Sequence, residues 1–158
     1  MVNASVYSPR SRQINSQSIT ANESTPRKAV AGEAVSISHR GFTCFPLPLL
    51  AIRGSIVSLR ANENNLTEFS FKLPPFRSLK KLTIRKNQIK SFGRLIENLS
   101  VSCPNLEDLS LEGNECWPRD ESTQGLYREA AALMLKRLRY LNGVPTHRAC
   151  RPSPKFNK

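Results

Sequence analysis

Three stretches of this chain repeat one pattern of aliphatic residues and asparagine. In an eleven-residue window, aliphatic residues take places one, four, six and eleven, and asparagine takes place nine. The windows hold Ile56, Leu59, Ala61, Asn64 and Leu66, then Leu79, Leu82, Ile84, Asn87 and Ile89, then Leu106, Leu109, Leu111, Asn114 and Cys116. Cys116 is the small apolar exception. The pattern predicts, three times over, a short strand followed by a turn that an asparagine closes.

The spacing of these asparagines fits a known repeat architecture. Asn64, Asn87 and Asn114 are 23 and 27 residues apart, inside the range of roughly 20 to 29 residues for leucine-rich repeats. An asparagine side chain both donates and accepts, so stacked asparagines can satisfy backbone groups where the chain leaves each strand. We therefore predict an α/β fold: a short leucine-rich-repeat solenoid of about three repeats, a C-terminal helical cap and a disordered N-terminal arm. The three asparagines form its structural ladder.

The segments between the predicted strands differ in character. A short helix ending near Pro104 is predicted by apolar residues at helical spacing, namely Phe92, Leu95, Ile96 and Leu99. Between the first two strands, Pro74-Pro75 excludes a regular helix, so we expect Phe69 to Phe76 to be extended.

A solenoid this short must cover its apolar ends. At the C-terminal end, Tyr127 to Asn142 predict a helix and then a last strand-like segment. The residues expected to pack there are Ala130, Ala131, Leu133, Met134 and Leu135, followed by Leu138, Tyr140 and Leu141. We assign Trp117, Tyr127, Leu138 and Leu141 to this cap. At the N-terminal end the candidates are Leu47, Leu49, Leu50 and Ile52.

Domain boundaries follow from where the repeat pattern starts and stops. We predict a disordered basic arm over residues 1–45, because its few large apolar residues show no period. The repeat domain spans 46–146, with repeats near 56–78, 79–105 and 106–126 and the cap at 127–144. Residues 147–158 form a flexible basic tail.

The sequence offers no chemistry that we would assign to an enzyme. Cys44, Cys103, Cys116 and Cys150 form no CxxC pair, and the two histidines lie in flanking segments, so we expect no metal site. The predicted folded part has no histidine and no glycine-rich phosphate loop, so we expect no catalysis and no cofactor. Without an apolar leader or a long apolar run we expect no membrane span and a monomer with reduced thiols in the cytoplasm or, as the alternative, in the nucleus.

The predicted C-terminal cap resembles that of a capped group of leucine-rich-repeat proteins, which includes the spliceosomal U2 A-prime protein and a protein phosphatase regulator. The similarity lies in the tyrosine-arginine start, the aliphatic run and the closing leucine of YREAAALMLKRLRYLN. Lys136 departs from that pattern, where proline is common, and so does Asn142, where aspartate is usual. From about Ser55 to Val144 the chain is also similar to the family of leucine-rich melanocyte differentiation-associated proteins. That similarity lies in the repeat FRSLKKLTIRKNQI, the longer segment RLIENLSVSCPNLEDLSLEGNECWP and the tyrosine-arginine cap. That resemblance implies an adaptor for Rab-type small GTPases in pigment or lysosome-related organelle traffic.

In such a solenoid the non-leucine strand positions project outward in rows across neighbouring strands, which are roughly 4.8 Å apart. The outward residues are Ser58, Lys81 and Asp108 in one row, Arg60, Thr83 and Ser110 in the next, and Asn62, Arg85 and Glu112 in the third. With Lys86, the set Arg60, Asn62, Lys81, Thr83, Arg85, Asp108, Ser110 and Glu112 is our predicted partner-binding surface. Its mixed charges favour a protein partner over nucleic acid.

The overall charge leaves one alternative open. The formal charge is +12, and residues 121–158 carry eight basic side chains against two acidic ones. This basic end is typical of proteins that contact RNA or acidic lipid. The alternative is therefore a ribonucleoprotein component similar to U2 A-prime. We favour the protein-binding adaptor because phosphate binding requires a continuous positive track, which the acidic residues of the third predicted strand would interrupt.

Overall fold

The structure is a computed structural model, and it describes residues 12–13, 32–147 and 149. The described chain is a mixed α/β structure built on one seven-stranded sheet. The strands are β1 (Arg12–Gln13), β2 (Glu33–Ser36), β3 (Ile56–Arg60), β4 (Lys81–Thr83), β5 (Asp108–Ser110), β6 (Tyr140–Leu141) and β7 (Val144–Pro145). The α-helices are α1 (Leu47–Ala51), α2 (Phe92–Ser102) and α3 (Glu121–Met134), and 3-10 turns occupy Arg53–Ser55 and Glu68–Phe71.

The strands lie side by side in chain order, and β1 to β6 are parallel. Below, we call each strand with the connection that follows it a unit. The register brings equivalent positions together, so that Leu59 faces Leu82 and Leu82 faces Leu109. Because successive side chains of a strand alternate in direction, this register directs all the leucines to one side. Val35 and Leu141 extend the same buried column at its two ends.

The core is a single cluster between the sheet and the connections that cover it. It contains the aliphatic residues of all three predicted windows, with Cys116, and the apolar side of α2. The helix predicted before Pro104 is confirmed: α2 buries Leu95, Ile96 and Leu99. Ser91 starts it, because its hydroxyl accepts a hydrogen bond from the Arg94 backbone N–H.

The folded part begins earlier in the chain than we expected. Strand β2 lies within the predicted arm, and Val35 and Ile37 are buried in the core together with Phe45. The arm boundary at residue 45 is therefore too late for residues 33 to 45. These residues form one more unit in register with the first predicted one, in which Val35 faces Leu59. Arg40 stands where the other units have asparagine, and this substitution hid the unit from the pattern search. The rest of the arm lies outside the described residues, apart from Gly32 and β1.

The connection between β3 and β4 is only partly extended. The expected absence of a regular helix holds at Pro74-Pro75, but Glu68–Phe71 forms a 3-10 turn just before them. Thr67 stabilises this turn through a capping box with Ser70, in which each side chain bonds the other residue's backbone N–H. Phe71 is buried by the turn, so the connection contributes an aromatic ring to the core.

The C-terminal helix starts earlier, and faces a different way, than predicted. It begins at Glu121, because the Asp120 carboxylate accepts the Thr123 N–H at 2.8 Å. Ala131 and Ala132 are its buried residues. Four residues that were expected to pack on the core are exposed, so that expectation was wrong for Ala130, Leu133, Met134 and Tyr140. The predicted last strand is present as β6, with Leu138 and Leu141 fully buried.

A tight hairpin ends the sheet. Asn142 and Gly143 have φ values of 52° and 76°, and they join β6 to the antiparallel β7. Both central residues of such a turn need positive φ, which is why Asn-Gly favours it. Pro145 lacks an N–H and suits the outermost strand. Thr146 then anchors the chain, because its hydroxyl donates to the Leu138 carbonyl at 2.8 Å.

Candidate functional site

The outward side of the sheet is the candidate site, and we call it the sheet face. It consists of the side chains of β3, β4 and β5 that point away from the core, with the residues just after each strand: Ser58, Arg60, Asn62, Lys81, Thr83, Arg85, Asp108, Ser110 and Glu112. The pairing register aligns these residues in the predicted rows, with Ser58 beside Lys81 and Lys81 beside Asp108.

Opposite charges on the sheet face are already paired with each other. Lys81 Nζ lies 3.5 Å from Asp108 Oδ2, and Arg85 Nε lies 3.4 Å from Glu112 Oε2. In sequence these four residues form a gradient from basic β4 to acidic β5, but in the structure they are two ion pairs across neighbouring strands. The partly exposed pairs hold the face together only weakly, since such pairs are worth about 0.2–1 kcal/mol.

Two residues of the middle row, Thr83 and Ser110, are less exposed than the sequence suggested. Thr83 is 8% and Ser110 5% exposed, because both are short side chains beside longer ones in neighbouring rows. Within the described residues the Thr83 Oγ1 atom is buried and has no hydrogen-bond partner. Arg60, in register with Thr83, is exposed and has no ion-pair partner among the described residues. The row therefore combines an exposed guanidinium with a buried hydroxyl that lacks a partner within the described residues.

Lys86, also a predicted contact, belongs to a chain of charges along the turns. Its Nζ lies 3.7 Å from Glu63 Oε1, and Glu63 Oε2 lies 3.2 Å from His39 Nδ1. All three residues have positive φ between 52° and 59°. Gly113 occupies the equivalent place in the β5 unit, with φ of 80°. A Cβ there would lie 2.8 Å from Lys86 Cγ, so the close approach requires glycine.

The three predicted asparagines hold neighbouring units together. The Asn87 amide donates to the Ala61 carbonyl at 2.9 Å in the preceding unit and to the Ile84 carbonyl at 3.0 Å in its own, while its oxygen accepts the Leu66 N–H at 3.2 Å. Asn114 donates in the same way to the carbonyls of Ile84 and Leu111. These bonds are the ones expected of a structural asparagine ladder.

Asn64 and Asn142 continue the ladder at its two ends. Asn64 donates to the Ile37 carbonyl at 3.0 Å and accepts the Arg40 N–H, so it secures the unit that contains β2. At the other end, Asn142 Oδ1 accepts the Leu111 N–H at 2.7 Å. Its amide nitrogen is buried and has no hydrogen-bond partner within the described residues. Asn142 therefore bonds the preceding unit, a role that its departure from the cap pattern did not indicate.

A buried carboxylate, also missed, stands at the start of α2. Glu68 is 7% exposed, and its Oε2 accepts the Lys90 backbone N–H at 3.1 Å. Burial alone would raise the pKa of this carboxyl. Backbone N–H groups of Glu68, Lys90 and Ser91, with the charge of Arg94, outweigh burial and lower the pKa below the ordinary value of 4.5 for a glutamate. A carboxylate is favourable here because helix N-termini carry unpaired donors and partial positive charge.

An aromatic cluster closes the C-terminal side of the core. The rings of Phe92 and Tyr127 are stacked with centroids 4.5 Å apart, and Trp117 lies 6.1 Å from Phe92 and 6.2 Å from Tyr127. Trp117 and Tyr127 are partly buried against the core. Their arrangement fits the sealing role predicted for them rather than an exposed recognition site.

The described residues were also searched for other kinds of site. Within residues 32–147, no group of His, Cys, Asp and Glu side chains could hold a metal ion. In the same part of the chain no helix has the length and apolar character needed to cross a membrane. Comparison with known proteins adds no family: no protein-family model matches the chain, and no curated protein matches it.

Proposed function

We propose that this protein is a short leucine-rich-repeat solenoid that binds another protein through its sheet face, as a non-enzymatic adaptor. The observation that supports this proposal is the arrangement of side chains on the sheet face. It presents side chains of both charges in straight rows, fixed by the parallel register of β3, β4 and β5. Repeat proteins use an extended surface built from successive units to bind other molecules.

The repeat interpretation is supported by the hydrogen bonds between units. Asn64, Asn87 and Asn114 each donate to a carbonyl of the preceding unit, at distances between 2.9 and 3.0 Å. Each bond joins residues 26 to 30 apart in sequence. One chemical device thus recurs at the period of the sequence pattern, which is what a repeat architecture requires.

A protein partner fits the charges of the sheet face better than nucleic acid does. Asp108 and Glu112 lie among the basic residues, and they would repel a phosphate backbone. A protein surface with both signs of charge can instead form ion pairs with the residues of the sheet face. Opening each exposed pair of the face costs at most about 1 kcal/mol.

Arg60 is the residue that we expect to anchor the partner. It is the basic residue of the three rows without an ion-pair partner among the described residues. Its guanidinium favours a carboxylate side chain of the partner, which accepts hydrogen bonds and carries negative charge.

The first partner class to test comes from the resemblance in the sequence. Similarity to leucine-rich melanocyte differentiation-associated proteins suggests a Rab-type small GTPase and a cytoplasmic adaptor. The same experiment distinguishes this adaptor from the ribonucleoprotein alternative, which the basic C-terminal residues suggest. RNA binding weakens steeply with salt, whereas a protein interface of mixed charge weakens less.

The test uses charge reversal at Arg60 in the full-length chain. Reversing Lys81 or Arg85 would place a carboxylate opposite Asp108 or Glu112 and disturb the face itself. Arg60→Glu avoids this problem. The matched control is Arg119→Glu, which changes the net charge equally at an exposed position before α3. Binding of each chain to a purified Rab-type GTPase, loaded with GDP or a GTP analogue, is measured by calorimetry.

The proposal expects binding by the wild type and the control, and a loss of at least about tenfold with Arg60→Glu. A parallel pull-down from cytosol, with and without nuclease, covers other partners. Proteins that stay bound after nuclease and are lost only with Arg60→Glu support the sheet face with another protein partner. Captured proteins that are lost on nuclease treatment would indicate binding through RNA. A loss of binding with Arg119→Glu equal to that with Arg60→Glu would indicate nonspecific attraction between charges. Either result refutes the proposal.

A further inference from the structure

Helix α3 has apolar side chains on two opposite sides. One side is buried at Ala131 and Ala132, and Ala131 belongs to the core cluster. The other carries Leu126 and Leu133, which are 66% and 72% exposed. Helical geometry places Leu126, Ala130 and Leu133 on a common face, and Met134, 44% exposed, at its border. We call Leu126, Ala130, Leu133 and Met134 the outer face of α3.

Basic side chains follow directly after this face. Lys136, Arg137 and Arg139 are exposed, and within the described residues none of them has an ion-pair partner. Residues 121–158 together carry eight basic side chains against two acidic ones. Glu129 lies on the exposed side of α3, and Glu121 is exposed in its first turn. An apolar face beside an excess of one charge differs from the sheet face, where both signs are paired.

We propose that the outer face of α3 docks on the surface of an anionic phospholipid bilayer. Leu126, Leu133 and Met134 enter the boundary between headgroups and acyl chains, as the apolar side of an interfacial helix does. Lys136, Arg137 and Arg139 bind the phosphate and carboxylate groups of acidic lipids. The helix lies on the membrane and does not cross it.

Charge and area separate this surface from two other occupants. A second copy of the chain would meet a protein of formal charge +12 and be repelled. The outer face has three large apolar side chains, too few for the roughly 1,000 Å² that a stable protein interface buries. A helix of another protein would need matched acidic residues, whereas an anionic bilayer supplies negative charge everywhere along the surface.

The experiment is cosedimentation of the full-length chain with vesicles. One set contains phosphatidylcholine alone, and the other adds about 30 mol % phosphatidylserine. The main variant is Leu126→Gln with Leu133→Gln. Its matched control is Leu47→Gln with Val101→Gln, since both of those residues are highly exposed apolar side chains on other helices. Thermal unfolding of each variant checks that the fold is unchanged, as expected for exposed positions.

The proposal expects the wild type and the control to sediment with phosphatidylserine vesicles and not with phosphatidylcholine alone. The double change on α3 should weaken the affinity by at least about tenfold. Lys136→Ala with Arg137→Ala should weaken it by a similar factor, and Glu129→Gln should strengthen it by about threefold, because one repulsive charge is lost.

Other results would overturn the proposal. Equal sedimentation of the wild type and the Leu126 and Leu133 variant would show that charge alone attracts the protein to lipid. An equal loss with the control variant would show that any exposed apolar residue contributes. A dimer in solution that the α3 variant abolishes would assign the face to a second copy. The Arg60 experiment is independent of all these outcomes, because it uses no lipid.

Discussion

At the residue scale, the side-chain amides of buried asparagines hold neighbouring units together. Each ladder asparagine supplies donors and an acceptor to backbone groups that no strand or helix satisfies, and a buried backbone group without a partner is costly. Asn87 illustrates this most fully, since its side chain bonds the preceding unit, its own turn and the Leu66 N–H. A residue of similar size without an amide cannot replace it.

Replacing Asn87 with alanine should therefore destabilise the fold strongly. We expect the free energy of unfolding to fall by about 3 kcal/mol, because at least two backbone groups lose their partners in a buried place. Chemical denaturation measures this change. Asn65→Ala is the control, since Asn65 is exposed and has one long bond, 3.5 Å, to the Gly41 carbonyl. A loss for Asn87→Ala no larger than that for Asn65→Ala would refute the ladder's importance.

Sequence reasoning reached part of this picture for a physical reason. Fixed spacing of asparagine and leucine implies the ladder directly, because each place in the window faces a defined direction. It could not show that Lys81 pairs with Asp108, since that contact depends on how far two side chains reach across the register. The unit containing β2 stayed hidden because Arg40, not asparagine, fills its turn.

At the element scale, short helices and turns depend on groups placed at their ends. The start of α2 uses the Ser91 hydroxyl and the Glu68 carboxylate, which comes from a 3-10 turn in the preceding unit. The end of the sheet uses Asn142 and Gly143 in a two-residue hairpin. Asn-Gly is a strong hairpin signal that was present in the sequence. Glu68 gave none, because its donors lie 22 residues away.

Changing Glu68 to glutamine should make α2 less stable in a manner that depends on pH. The folded-state pKa of Glu68 is lowered, so its ionised form stabilises the fold above the unfolded pKa near 4.5. That stabilisation is lost as the pH falls through the lower folded-state pKa. We expect a loss of about 1 kcal/mol at neutral pH.

Denaturation of both chains between roughly pH 7 and pH 3 measures this difference. The difference in unfolding free energy between the wild type and Glu68→Gln should become smaller as the pH falls. Glu97→Gln is the control, because Glu97 is exposed on α2 and should give little change at any pH. A gap at Glu68 that stays constant down to the acid limit would contradict the role of its charge.

Two glycines should respond in opposite directions to the same change. Gly143 has φ of 76° in the hairpin, so Gly143→Ala introduces strain there and should destabilise by about 1 kcal/mol. Gly125 lies inside α3 with nothing within 4 Å of an added Cβ, so Gly125→Ala should stabilise by about 0.5–1 kcal/mol. Melting temperatures test both. Equal shifts at the two positions would contradict the assigned turn.

At the scale of the whole molecule, one core unites all the units. Cys103 and Cys116 are buried in it, whereas Cys44 is exposed. Burial raises the pKa of the Cys103 thiol to about 12, and also that of Cys116 to about 12, so both stay protonated near neutral pH. Thiol reagents react with the thiolate, which makes these cysteines internal reporters of unfolding.

A thiol reagent at about pH 8 should label Cys44 quickly and leave Cys103 and Cys116 unlabelled in the native protein. Mass spectrometry of the digested chain measures each site. With increasing denaturant, the two buried cysteines should become labelled together, because they belong to one cluster. Labelling of Cys116 at clearly lower denaturant than Cys103 would show instead that the C-terminal units open separately.

The order of the sheet has a mechanical consequence. Among the described residues, each strand bonds only the strands before and after it in the chain, and the sheet runs from β1 to β7 in sequence order. A force that pulls the first and last strands apart therefore acts across the interstrand bonds of one boundary at a time. Hydrogen bonds loaded in this way break one after another. We therefore expect the units to separate in sequence at low force, although the core is continuous.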